Sequence, residues 1–142
     1  MSICLERLAP RVLIVDDDDG IQTLMKALLR RRDVVVDSAS DGDAALRKMR
    51  ERSYDSIVLD LMLPKVNGFE VVRELKTNSP DLLKRTIVVT AVSNHALRDF
   101  EDSELVRCVL RKPFDINQFI NEVLACATDN DGNGNGQLTM DN

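Results

Sequence analysis

Arg11-Val-Leu-Ile-Val15 runs directly into Asp16-Asp17-Asp18-Asp19, and that junction decides the fold. A compact β-branched run ended by acids reads as a strand buried on both faces, the kind found in a parallel sheet. Ile21, Leu24, Met25, Leu28 and Leu29 then recur at helical spacing, so a helix follows the strand. The pattern repeats along the chain. Val34–Ser38, Ser56–Asp60, Thr86–Thr90 and Arg107–Arg111 read as four more strands. Helical stripes follow Asp41 and Gly68, a shorter one spans His95–Phe100, and Ile116, Phe119, Ile120, Val123 and Leu124 form the last. Asp41 suits a helix N-cap, and Asp115 with Gln118 resembles a capping box. Five strands alternating with five helices predict an α/β fold: a (βα)5 doubly wound, five-stranded parallel sheet covered on both faces.

The chain has 142 residues, 24 Asp+Glu against 19 Lys+Arg, and a formal net charge of -5. That length suits one domain with a core of its own. With 44% apolar and 30% charged residues, most of the chain is not disordered. The acidic balance disfavours direct nucleic-acid or anionic-membrane binding. Cys4, Cys108 and Cys126 form no C-x-x-C pair, which suits a reducing compartment, and no apolar run reaches membrane-spanning length. A cytoplasmic protein is expected. Residues 1–9 read as an N-terminal lead, 10–127 as the domain, and 128–142 as a flexible Asn/Gly-rich tail or truncated linker. Asp129–Gly134 matches the start of a calcium loop, but Met140 stands where a bidentate Glu belongs, so the tail reading is preferred.

Ligand sites in open α/β sheets lie beyond the carboxyl ends of the strands. Asp16 and Asp17 follow strand one, Asp60 ends strand three, Thr90 ends strand four and Lys112 follows strand five. The flavodoxin-like strand order 2-1-3-4-5 would place strands one and three together, and three carboxylates with them. At about 5 Å and an effective dielectric near 20, each carboxylate pair repels by roughly 3 kcal/mol. Such a cluster calls for a cation, and Mg²⁺ suits hard oxygen ligands beside phosphate. A lysine and a hydroxyl nearby could hold an added anionic group, which makes a site for forming an aspartyl phosphate. Taken singly, these residues have plainer readings: Asp18 and Asp19 as helix-capping and first-turn acids, Asp60 as a turn residue, Thr90 as a strand threonine, Lys112 as a loop lysine. His95 reads as a surface residue.

Val15-Asp16-Asp17, Leu59-Asp60-Leu-Met-Leu-Pro64 with Gly68, Val89-Thr90-Ala91 and Lys112-Pro113-Phe114 together resemble the motif set of response-regulator receiver domains. Their order and separations match as well: 43 residues from Asp17 to Asp60, 30 from Asp60 to Thr90, and 52 from Asp60 to Lys112. The resemblance implies a two-component signalling switch, not a conventional enzyme. Asp60 would accept a phosphoryl group from a histidine kinase or histidine phosphotransfer protein. Asp17, Asp60 and the backbone carbonyl of Met62 would ligate Mg²⁺, with Asp16 acting through a metal-bound water. Thr90 and Lys112 would contact the phosphoryl oxygens, and Lys112–Pro113 would be cis. The expected output surface is the face of the fourth helix, fifth strand and fifth helix, which would bind an unknown effector or output domain, or a second copy on phosphorylation.

Two departures from the family stand out. Val109 stands three residues before the lysine, where Tyr or Phe usually couples threonine movement to the output face. Met62 and Val92, two residues past Asp60 and Thr90, are apolar where hydrolytic water is expected to pass, which implies slow loss of phosphate. Three alternatives stand beside this reading. A degenerate receiver would act as a phosphorylation-independent interaction module. A haloacid-dehalogenase-like phosphatase would use the near-match Asp17-Asp18-Asp19-Gly20-Ile21, but needs a further acid-bearing strand after the lysine. A flavodoxin-like cofactor binder would not place four aspartates in its phosphate loop. No output domain follows the last helix, so a stand-alone receiver or a section of a longer regulator is expected.

Overall fold

The computed structural model describes residues 9–129; the rest of the lead and the tail from residue 130, including most of the calcium-loop likeness, lie outside them. The strands are β1 (Arg11–Val15), β2 (Val35–Ala39), β3 (Ser56–Leu59), β4 (Thr86–Thr90) and β5 (Cys108–Arg111). All pairings are parallel, in the order β2-β1-β3-β4-β5. The helices are α1 (Asp19–Arg30), α2 (Gly42–Glu51), α3 (Gly68–Asn78), α4 (Asn94–Arg98) and α5 (Ile116–Asp129), with single helical turns at Pro80–Leu83 and Glu101–Glu104. The predicted sheet and its order are those observed.

Each strand divides its side chains between two cores because successive residues point to opposite faces. Leu13, Val15, Ile57, Leu59 and Val88 join the α2–α3–α4 side, where Val71, Val72, Leu75 and Phe100 meet them. Val12, Ile14, Val58, Ile87 and Val89 face α1 and α5, against Met25, Leu29, Phe119 and Val123. Each fully buried side chain of this size is worth roughly 1.5–3 kcal/mol relative to exposure. This two-sided burial is why the strands read as continuous apolar runs and not as alternating ones.

The helix starts are set by local polar chemistry. Asp18 accepts from Ile21 N (3.0 Å), Asp41 from Ala44 N (2.8 Å) and Asp115 from Gln118 N (2.8 Å), as their positions suggested. A reciprocal capping box also forms at α3, between Asn67 and Glu70, which the sequence reading had not singled out. The predicted His95–Phe100 helix is shorter: α4 stops at Arg98, and Phe100 turns inward as a buried residue (5% exposed) against Phe69, edge to face with centroids 5.5 Å apart. The helix ends before Phe100, whose ring joins the core on the α2–α3–α4 side.

Candidate functional site

The four key positions are fixed by the ends of the sheet ladder. Asp16 N donates to Ala39 O (3.1 Å), Asp60 N to Val15 O (3.0 Å), and Lys112 N to Thr90 O (2.9 Å). Asp16, Asp60 and Lys112 are each the first residue past a strand, held by a neighbouring strand, and Thr90 is the last residue of β4. Because β1 lies between β2 and β3, Asp16, Asp17 and Asp60 converge, with carboxylate oxygens all within 4.8 Å of one another. Asp16 and Asp60 are buried and Asp17 is exposed.

Lys112 Nζ bridges the two buried acids, donating to Asp16 Oδ2 and Asp60 Oδ2 at 2.9 Å each. Thr90 Oγ1 donates to Asp60 Oδ1 at 2.9 Å, and Met62 N donates to the same oxygen at 3.0 Å. Asp18 N donates to Asp16 Oδ1 (2.9 Å), so both Asp16 oxygens are engaged. Burial raises the Asp16 carboxyl above its ordinary range; the Asp18 N–H and Lys112 oppose that without cancelling it. For Lys112 burial acts downward, but its bonds to Asp16 and Asp60 outweigh it and hold the ammonium above its usual value. The ammonium is therefore charged throughout the neutral range.

The site opens into a depression of about 570 Å³, lined among others by Asp17, Asp60, Met62, Phe69 and Lys112. Gly68 closes the loop that carries Asp60: its N–H donates to Leu61 O (2.9 Å), and a Cβ there would overlap the Asp60 carbonyl and Leu61 Cα. The Lys112–Pro113 bond is cis. Met62 is exposed and borders the depression, but Val92 is buried at 8% exposure and is not part of its lining. Val92 still adjoins the site through its backbone, its N–H donating to Thr90 Oγ1 at 3.4 Å. Val109 is half-buried against the α2–α3–α4 core, and His95 is exposed.

Sequence reasoning missed Gln22. This side chain is 7% exposed, and its Nε2 donates to Asp16 O (2.6 Å) and Ala39 O (3.0 Å). A polar amide at 22 within the buried stripe of Met25 and Leu29 was the signal, since buried amides need partners.

The donor set is all carboxylate oxygen, half-open to solvent through Asp17, and it fits a hard divalent cation. After Lys112 the described residues hold only α5, with no further strand for a haloacid-dehalogenase-like site.

Fold and site together define a phosphotransfer signalling domain, and the chain belongs to the response regulator receiver domain family, whose model matches residues 12–124. It is 34% identical over 117 residues to the regulatory protein VanRB of Enterococcus faecalis, covering 81% of this chain and 51% of that protein. It is 36% identical over 88 residues to the transcriptional regulatory protein ResD of Bacillus subtilis, covering 62% of this chain and 35% of that protein. The chain spans about half or less of the curated relatives it matches. Among solved structures, it resembles the Thermotoga maritima response regulator TrrA in complex with Mg²⁺ and BeF: TM-score 0.73, 29% identity, 82% of this chain and 98% of that one. The receiver domain of the sensor histidine kinase PA1611 from Pseudomonas aeruginosa, solved with magnesium in its active site cleft, matches with TM-score 0.75 and 25% identity, over 84% of this chain and 98% of that one. Response regulators are signalling switches that act with histidine kinases and output domains. Among the described residues, no helix is long and apolar enough to cross a membrane.

Proposed function

We propose that Asp60 is the phosphoacceptor of this receiver domain and that residues 10–127 make up the whole switch. The observation that carries this reading is the convergence on one carboxylate of Thr90, Lys112 and two further aspartates. In the transfer, a bond forms between an Asp60 carboxylate oxygen and phosphorus while the donor's P–N bond breaks, the donor histidine leaving as imidazole. Mg²⁺ would be held by Asp17, Asp60 and the Met62 carbonyl, with Asp16, its own oxygens engaged by Lys112 and Asp18, reaching the ion through water. Bound there, the ion supplies positive charge against the phosphoryl oxygens. Lys112 is already within hydrogen-bonding distance of Asp60 and needs only to exchange its carboxylate partner for a phosphoryl oxygen. Thr90 makes the same exchange from Asp60 Oδ1. The phosphoryl group carries about two negative charges where the free Asp60 carboxylate carried one, so both groups are drawn toward it.

The donor is a histidine kinase or histidine phosphotransfer protein in the cytoplasm, and the α4–β5–α5 face is the output surface, for an effector, an output domain or a second copy. Leu105, between α4 and β5 in sequence, and Ile116, the first residue of α5, are 40% and 44% exposed and offer apolar contact area. Incubation with a small-molecule phosphodonor and Mg²⁺, followed by intact mass, tests the assignment. One added phosphoryl group is expected, absent in Asp60→Asn and decaying slowly after donor removal. An unchanged wild-type mass would instead support a phosphorylation-independent interaction module.

A further inference from the structure

Gln22 lies on α1, one turn into the helix, and its amide spans the ends of β1 and β2. Packing alone does not call for it. Its neighbours on the buried stripe are Met25 and Leu29, both fully buried, and an apolar side chain of similar length would fill the same space. What an apolar side chain lacks is the pair of N–H donors. One goes to Ala39 O, which also accepts from Asp16 N; the other goes to Asp16 O at 2.6 Å, the shorter of the two.

Asp16 O belongs to the peptide that joins Asp16 to Asp17. A peptide is planar, and in the trans form its C=O and N–H point in opposite directions. Pinning this carbonyl toward α1 therefore fixes the rotation of the whole plane, and with it the point from which the Asp17 side chain departs. Asp17 is the exposed member of the acidic cluster, so it has the least packing of its own to hold it in place. Asp16 and Asp60 are each held by Lys112 and by further hydrogen bonds.

Resting on the reading that this cluster takes Mg²⁺, we infer that Gln22 is a positioning residue: it orients the Asp16–Asp17 peptide so that the Asp17 carboxylate meets the ion preformed. Outer partners that orient metal ligands typically contribute a factor of about 10–100 in metal affinity. The expected loss is of that size.

The test is Mg²⁺ titration of the unphosphorylated protein by calorimetry and by backbone amide shifts. It compares wild type with Gln22→Met, which keeps length and loses the donors, and with Gln22→Glu, which keeps shape and can only accept. Val36→Ala, in the same α1-side core, serves as a variant destabilised away from the site. Affinity at least tenfold weaker in both Gln22 variants, with Val36→Ala unchanged, is the expected result. Affinities within twofold of wild type in both Gln22 variants would overturn the role of Gln22 alone. A wild type that binds no Mg²⁺ would overturn the reading of the site on which the inference rests. Should neither Gln22 variant fold, the wild-type side-chain amide decides: slow exchange of the Gln22 NH₂ protons with water is expected, and fast exchange overturns the clamp.

Discussion

Replacing Lys112 by Met removes the one ammonium that bridges Asp16 and Asp60. At 2.9 Å from each carboxylate oxygen and an effective dielectric near 20, each pair is worth about 6 kcal/mol before desolvation is counted. Desolvation offsets much of this, because the Lys112 side chain is only 18% exposed and its partners 1% and 6%. The net loss on removing one partner of such a buried group is about 3–5 kcal/mol, since two carboxylates are left facing each other. Against a typical total of about 5–15 kcal/mol the variant should still fold, with a visibly lower denaturation midpoint in chelator. Mg²⁺ should then restore more stability to Lys112→Met than to wild type, because the ion no longer competes with an ammonium for Asp60. A gain of about 1.4 kcal/mol in that difference corresponds to tenfold tighter binding. Urea denaturation followed by circular dichroism, with chelator and with saturating Mg²⁺, reads both effects. Equal stability of the two proteins in chelator, or Mg²⁺ binding to Lys112→Met no tighter than to wild type, would refute the electrostatic account of the site.

Gly68→Ala would push a methyl group into the Asp60–Leu61 backbone. Since backbone must move, a loss of about 1–3 kcal/mol or more is expected, together with slower phosphorylation by a small-molecule donor, measured by denaturation and intact mass. Asp37, midway along the edge strand β2, accepts from Tyr54 Oη (2.7 Å) and pairs with Arg11 (3.3 Å) and Arg52 (3.7 Å). Burial pushes its carboxyl up, but Tyr54 and the two arginines prevail and hold it below the ordinary value of 3.8. A depressed carboxylate contributes stability that is present above the unfolded pKa and lost as pH falls through the folded one. Asp37→Asn should therefore cost about 1.5–3 kcal/mol at neutral pH, and its deficit should shrink as pH falls below about 4, read from denaturation midpoints across pH.

The strands and their order were legible because burial on both faces writes an unbroken apolar run, as in Arg11–Val15 and Thr86–Thr90, and the acids and lysine that end those runs mark the site. The residues that escaped are those whose role depends on partners distant in sequence. Gln22 looks like a surface helix residue until β2 is placed beside β1. Gly42 reads as a helix-start glycine, although a Cβ there would overlap the Val66 carbonyl of the loop leading into α3. Val92 is buried in the turn after β4, with its N–H on Thr90 Oγ1, a contact that spacing alone does not reveal. Spacing along a chain locates the Cα of a site residue, while the direction of its side chain is settled by what packs around it.

Val109 shows the same dependence at the output side. Replacing an aromatic ring by valine on β5 leaves less bulk beside Val88, its register partner on β4. The large side chains on that face come instead from α3 and from the segment after α4, as Phe69 and Phe100. Phe69 borders the depression beside Asp60 and also a second hollow shared with Arg73, Lys76 and Phe100. The loop that carries it is braced at two points: Gly68 lies against the Asp60–Leu61 backbone, and Gly42 of α2 lies against Val66, with Lys65 paired to Asp41 at 3.7 Å. Phe69, next in line after Gly68, meets Phe100 edge to face in the segment between α4 and β5. An aromatic contact from the Asp60 depression to the segment between α4 and β5 therefore exists in this chain without an aromatic residue on β5.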